Sequence, residues 1–229
     1  MKPKILSWDI ETTPNLGWVW AKYDQNVIDF QQEWELLSFC VKYLGGKTYF
    51  YGRDEFSEKE LVKRLHDYMD EADILIAHNG DKFDIKKANA KFLEFGFSPP
   101  SPYKSIDTLR IARRYFALTS NKLGDLGEKL GLGHKVQTGG FSLWQGCIKG
   151  DPKSWALMAK YNRQDVVLLE KIYLRLRPWI TNHPVISQGF DCPNCASSEL
   201  HKRGFAYTRK HKYQRWQCQK CSAWTQSKI

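Results

Sequence analysis

Acidic side chains occur in this chain where apolar neighbours would be expected. Asp9 and Glu11 flank Ile10 in the run Lys4 to Glu11, whose alternation puts Leu6, Trp8 and Ile10 on one face of a strand. Ile5, Ser7, Asp9 and Glu11 take the other face, so both acids leave one side of one strand. Asp165 is the sharper case. From Ser154 to Leu176 a helical period gathers Met158, Tyr161, position 165, Leu168, Leu169, Ile172 and Leu176 on one stripe. A carboxylate there is costly to desolvate unless a cation or strong donors meet it. A bond to a backbone group is one answer and a metal ion another. Tyr161 lies four residues earlier on the same face, so a phenol and a carboxylate point together. Asp84 closes Asn79-Gly80-Asp81-Lys82-Phe83-Asp84 and opens a helix, where the macrodipole alone favours an acid.

The elements that must position these groups are legible around them. Asp151 and Pro152 suit the N-cap and first residue of the long helix. Trp18 to Tyr51 holds aromatic and β-branched runs broken by Gly45-Gly46, which predicts an antiparallel meander with a hairpin there. Ser57 and Glu60 form a capping box before Leu61, Leu65, Tyr68 and Met69, giving a helix to about Glu71. Asp73 to Ala77 is short and almost wholly apolar, as a buried parallel strand should be. A second helix begins near Lys82, with Ile85, Ala88, Phe92 and Phe95 inward. Ser98 to Pro102 reads as a loop, Tyr103 to Asp107 as a short strand, and Thr108 to Ala117 and Leu123 to Leu130 as helices. Gly131 to Gly150, rich in glycine, is expected to be a surface loop.

Bulk properties narrow the class. A chain of 229 residues, 42% hydrophobic and 14% aromatic, can build one α/β domain and a small appendage. No apolar run approaches ~20 residues and the start lacks a signal-peptide core, which predicts a cytoplasmic protein without a membrane partner. Charge is uneven. Positions 181 to 229 hold eight Lys and Arg against two Asp and Glu, or +6 of the net +10. Such a tail suits a polyanion, most simply nucleic acid, although solubility alone would also account for it.

In this order and on these elements, Asp9-Ile10-Glu11, Asn79 to Asp84 and Tyr161-x-x-x-Asp165 resemble the three motifs of the DEDDy branch of 3′-to-5′ exonucleases. The likeness is nearest to the proofreading exonuclease of family B DNA polymerases and its stand-alone relatives. It covers about residues 3 to 176 and implies a ribonuclease H-like α/β fold, a mixed sheet flanked by helices. It also implies phosphoryl transfer assisted by two divalent ions, Mg²⁺ or Mn²⁺, held by carboxylates. By that resemblance Asp9 bridges both ions, Glu11 and Asp165 hold one, Asp84 holds the other, and Tyr161 orients the attacking water. Asn79 is then a candidate to touch the terminal nucleotide or brace Asp84, and Asp107 a supporting group.

The tail carries a second pattern. Cys192-x-x-Cys195 and Cys218-x-x-Cys221, separated by 22 residues, have the spacing of a tetrahedral Zn²⁺ site. The segment between them alternates like a hairpin, and the whole is similar to zinc ribbons attached to transposases and phage nucleases. Its cations Lys202, Arg203, Arg209, Lys210, Lys212 and Arg215, interleaved with aromatics, suit phosphates and exposed bases. Part of those aromatics would equally serve as the ribbon's own core. Four cysteines close such a site, so His134, His183, His201 and His211 are expected in solvent. Cys40 and Cys147 are expected as ordinary buried thiols.

The organisation expected is an exonuclease domain over residues 1–178, a linker over 179–190 and a zinc ribbon over 191–229. The activity expected is 3′-to-5′ hydrolysis of nucleic acid to nucleoside monophosphates, with DNA, single strands and 3′ ends favoured. A compact basic nuclease of this kind fits a phage or mobile-element protein acting in a host cytoplasm. Competing readings are an exoribonuclease on the same site, a structure-selective endonuclease, and a catalytically silent binding module, although all four carboxylates are retained.

Overall fold

The structure is a computed structural model that describes residues 3–23, 26–187 and 189–229. Positions 24 and 25 of the expected meander and 188 of the expected linker lie outside them. In chain order the strands and helices are β1 (Ile5–Thr12), β2 (Leu16–Trp18), β3 (Asp29–Gln32), β4 (Leu36–Tyr43), β5 (Thr48–Gly52), α1 (Glu58–Glu71), β6 (Ile74–Ala77), α2 (Asp84–Glu94), β7 (Lys104–Asp107), α3 (Thr108–Tyr115), α4 (Leu123–Lys129), α5 (Ser142–Ile148), α6 (Pro152–Leu176), β8 (Leu200–Tyr207), β9 (Lys212–Cys218) and β10 (Trp224–Lys228).

The central sheet runs β5-β4-β1-β6-β7. β4 pairs antiparallel with both β1 and β5, whereas β6 is parallel to β1 and to β7. The mixed sheet is therefore what the crossover through α1 and the hairpin at Gly45 demand. The expected meander is corrected in its first half. Among the described residues, β2 and β3 pair only with each other, as a two-stranded ribbon, because Leu16, Trp18 and Phe30 are exposed and offer the sheet no buried face.

Alternation along β1 sorts the core into two layers. Leu6, Trp8 and Ile10 pack with Leu61, Leu65 and Met69 of α1 and with Ala88 and Phe92 of α2. Ile5, on the opposite face, joins Ile74, Ile76 and Ile106 under Leu168, Leu169, Ile172 and Leu176 of α6. Helix ends are closed as the sequence suggests. Ser57 and Glu60 bond reciprocally at the start of α1, and Asp151 accepts from the backbone N–H groups of Lys153 and Ser154 ahead of Pro152. One expectation fails within Gly131 to Gly150, where α5 forms. Leu143 and Cys147, one turn apart, bury against Trp155 and Met158 of α6, and this tertiary contact stabilises a helix too short to persist alone.

Two further points concern expectations about burial. Cys40 and Cys147 are buried thiols. His183 is buried rather than solvated, because its Nε2 meets Tyr173 Oη at 2.7 Å and its Nδ1–H donates to the Pro184 carbonyl at 2.7 Å. Burial pushes its pKa down to about 4, so the ring stays neutral.

Leu168 is fully buried, with its methyls against Gly127 of α4. Leu168→Ala should lower the free energy of unfolding in urea by about 2–5 kcal/mol, the range for a cavity in a core of this kind. Lys59→Ala, on the exposed side of α1, should stay within about 0.5 kcal/mol of the parent.

Candidate active site

The parallel ladder between β1 and β6 stops at Ser7 opposite Ile76. Beyond it, β1 is paired on one side only, and the N–H of Ile10 is left without a strand partner there. Asp84 fills that gap: its Oδ1 accepts from Ile10 N at 3.3 Å. The chain reaches Asp84 through a tight turn after β6, in which Asn79 has φ 69° and Gly80 has no room for a side chain. A Cβ on Gly80 would lie 2.3 Å from Ala77 Cβ. Asn79 is held there by its backbone N–H, which donates to Asp107 Oδ1 at 2.9 Å. Asp107 also caps α3 through the N–H groups of Leu109 and Arg110. Asn79 thus rests on Asp107, and Asp107 shapes the turn that delivers Asp84.

Asp9 and Glu11, on the α6 side of β1, are partly exposed, whereas Asp84 and Asp165 are buried. Asn162 of α6 donates through Nδ2 to Asp9 Oδ2 at 2.7 Å and accepts from Ser38 Oγ at 3.3 Å. Asp165, 3% exposed, has Oδ2 at 2.6 Å from Lys135 Nζ and an Oδ1 that is buried without a partner. The same ammonium lies 3.3 Å from Tyr161 Oη. Trp144 of α5 packs edge-on to Tyr161 with ring centroids 6.1 Å apart, and its indole favours the charged form of Glu11.

The electrostatics follow from crowding acids in a narrow crevice. Burial, then the charges of Glu11, Asp84 and Asp165, raise the Asp9 pKa well above the carboxylate range. Burial and Asp165 push Glu11 up to about 8, against the opposing pull of Lys135. Burial lifts Asp84 to about 6 despite its backbone donors, and it also lifts Asp165. Burial and the neighbouring carboxylates raise Tyr161, which therefore remains a protonated phenol.

An all-oxygen donor set that repels itself, with one carboxylate oxygen buried and unpaired, fits hard divalent cations. Lys135 supplies part of the missing positive charge. Among the described residues, the carboxylates do not form a group of three whose ligand atoms all lie within 4.8 Å of one another, and only the cysteines do.

Those cysteines sit at the root of the sheet β10-β9-β8. Cys192 and Cys221 Sγ are 3.6 Å apart and Cys195 and Cys218 Sγ 3.7 Å. That is too long for disulfides and close to the edge of about 3.8 Å that four Zn–S bonds of about 2.3 Å define in a tetrahedron. The four-cysteine cluster is compatible with a zinc ribbon. On its hairpin, Lys202, Arg203, Arg209, Lys212 and Arg215 enter no ion pair among the described residues. Lys212 instead lies 3.8 Å from the centroid of the exposed Phe205 ring. His134, His201 and His211 are exposed, as expected.

The structure thus brings Asp9, Glu11, Asp84, Tyr161 and Asp165 to one crevice, and places Asn79 beside it through Asp107. Sequence reasoning missed Lys135, Trp144 and Asn162. The first two lie in the segment read as loop, where the spacing of Leu143 and Cys147 was the available signal for α5. Asn162 gave one signal, a polar residue three positions before Asp165 on the inward side.

A family model described as the RNase_H superfamily matches residues 31–177, more than half of the chain, and the chain belongs to that superfamily. Over 73 residues it is 38% identical to the DNA polymerase III PolC-type of Ureaplasma parvum, covering 31% of this chain and 5% of that protein. The family B DNA polymerase from the hyperthermophilic archaeon Pyrobaculum calidifontis superposes with a TM-score of 0.60 at 15% identity, over 78% of this chain and 25% of its own. At that identity the second likeness is one of fold. The chain spans a small part of both relatives. Among the described residues, no helix is long and apolar enough to cross a membrane.

The raised acids make a prediction whose sign is fixed. Glu11 titrates near 8 in the folded chain against 4.5 as its ordinary value, so its charge destabilises the ion-free fold increasingly as pH rises from about 4.5 to 8. Glu11→Gln should therefore raise the Tm of ion-free protein at pH 8 by about 2–4 °C. The gain should shrink to nothing by pH 4 in a calorimetric pH series.

Proposed function

We propose that the protein is a metal-dependent 3′-to-5′ exonuclease of the DEDDy type that releases nucleoside monophosphates, with DNA the favoured substrate. The observation that carries this reading is the convergence of four desolvated, mutually repelling carboxylates and a protonated phenol at the open end of β1. Asp9, Glu11, Asp84 and Asp165 would hold two Mg²⁺ or Mn²⁺ ions, which supply charge neutralisation at phosphorus and a more acidic water. Asn162 fixes the carboxylate of Asp9 through one oxygen, which leaves its remaining lone pairs free for the crevice. The Tyr161 phenol keeps its proton and can orient water by accepting or donating. Lys135 holds Tyr161 and Asp165 in register and adds a cation beside the phosphate. Asn79, at the rim, is positioned to meet the terminal nucleotide.

We further infer that residues 191–229 form a separate module, with Cys192, Cys195, Cys218 and Cys221 holding structural Zn²⁺ and its hairpin cations meeting nucleic acid. A unit of about 40 residues has too little core to fold alone, so the metal carries much of its stability.

The test of activity is a time course on 5′-labelled single-stranded DNA, duplex DNA and RNA, with and without Mg²⁺ or Mn²⁺. A ladder shortening from the 3′ end, dependent on the ion, is expected on DNA. Asp9→Ala and Asp165→Ala should each slow it about 10³-fold or more, the loss expected when several kcal/mol of transition-state stabilisation is removed. Full activity in either variant sinks the assignment, and faster turnover of RNA or of circular substrate reassigns it. For the module, Cys192→Ser should release zinc, measured by a colorimetric chelator, and deletion of residues 187–229 should reduce affinity and its salt dependence while leaving some turnover.

A further inference from the structure

We propose that a single strand of nucleic acid approaches the crevice along one continuous basic and aromatic track, formed by two clefts that meet at Tyr115 and Ile180. This rests on the nuclease reading and adds the path and the residues along it. The first cleft, ≈ 590 Å³, begins at Asn79 and Asp107, which brace the turn before Asp84, and is lined further on by Lys82, Lys104, Arg113 and Arg114. The second, ≈ 740 Å³, shares Tyr115 and Ile180 with it and ends on Arg215 and Trp224 of the cysteine module.

The charge balance along this path favours a polyanion. Of its two acids, Asp81 is ion-paired with Arg110, and Asp107 spends Oδ1 on three backbone N–H groups while its Oδ2 is buried without a partner, against the four cations Lys82, Lys104, Arg113 and Arg114. Arg113 and Arg114 are exposed and form no ion pair among the described residues. Cations also recur over aromatic faces. The Arg114 guanidinium lies 5.3 Å from the Tyr115 ring centroid and that of Arg215 5.7 Å from Trp224. Trp179 and Trp224, both lining the second cleft, are 56% and 53% exposed. Cations that track a backbone, interleaved with exposed rings, are the physical requirement for holding unstacked bases, whereas a duplex would leave those rings unused.

The two halves of the track are fixed to each other. Tyr115 Oη and Thr181 Oγ1 are 2.7 Å apart, tying α3 to the segment after α6. Asn194 Nδ2 donates to the Arg177 carbonyl at 3.2 Å, tying the first cysteine knuckle to the end of α6.

The test uses the full chain and fluorescein-labelled 12-nucleotide single strands, with binding followed by anisotropy without added divalent ion and hydrolysis followed with Mg²⁺. Arg113→Gln/Arg114→Gln should weaken binding about tenfold and lower the slope of log affinity against log salt by about 1.4, the share of two single-strand phosphate contacts. Trp224→Ala should weaken it about tenfold with the slope unchanged, as loss of one stacked base requires. Both defects should grow with strand length and be smallest on a dinucleotide. Lys47→Gln/Lys59→Gln, a charge-matched control at exposed positions outside both clefts, should match the parent. Parental affinity and slope in the arginine pair would overturn the track even if hydrolysis is normal. Absence of hydrolysis with these binding defects intact would instead overturn the nuclease reading and leave the track standing. Tighter binding of a 12-residue polyglutamate than of the DNA would assign the clefts to an acidic protein and overturn the proposal.

Discussion

Like charges in a crowded crevice repel with an energy that no rearrangement of the same four carboxylates removes, so only bound protons or positive charge brought to it relieve the strain. The fold creates that situation by ending the β1–β6 ladder early. A paired strand would have satisfied the Ile10 N–H and closed the space, whereas the open edge admits Asp84 and leaves Asp9 and Glu11 facing α6. Part of the counter-charge comes from within. Lys135 neutralises Asp165 but leaves one of its oxygens buried and unpaired, and it does nothing comparable for Asp9, whose affinity for protons stays high. The crevice is therefore under-compensated in the isolated chain, and its neutral donor Asn162 orients Asp9 without neutralising it.

Much of this was readable from residue types and spacing. An aspartate on the buried stripe of α6, two acids on one side of β1 and an acid opening α2 each break a local rule, and sites are where such conflicts concentrate. The capping box of α1, the Asp-Pro start of α6 and the apolar β6 are local signals with local causes, and they appeared where expected. Lys135 and Trp144 were not readable for the opposite reason. Their segment has four glycines between 131 and 140 and no sustained period, and α5 exists because Leu143 and Cys147 find Trp155 and Met158 on a helix later in the chain. His183 fell to the same limit, since nothing near it in sequence announces Tyr173 as its partner.

The cysteine module and the sheet domain show two routes to a fold. In the latter, apolar side chains bury in two layers around β1, and propensity, caps and packing agree. In the former, a three-stranded sheet keeps Phe205, Tyr207 and Trp224 largely in solvent, and its small buried cluster is made of cysteines with Ala223. Rings that would normally build a core are therefore left on the surface beside cations that enter no ion pair among the described residues, and on the proposed reading sulfur ligation would take the place of hydrophobic burial.

Helix α6 connects these regimes as a single rod of 25 residues. Arg177, whose carbonyl receives the cysteine knuckle, lies twelve positions beyond Asp165, which at about 1.5 Å per residue is roughly 18 Å. Unstacked nucleotides, each spanning more than the roughly 3.4 Å rise of a duplex strand, would fill that interval with at most about five units. On the proposed reading the helix would act as a ruler: a strand eroded below that length would lose its distal grip while its end is still engaged, and digestion would taper off into short oligomers instead of running to completion.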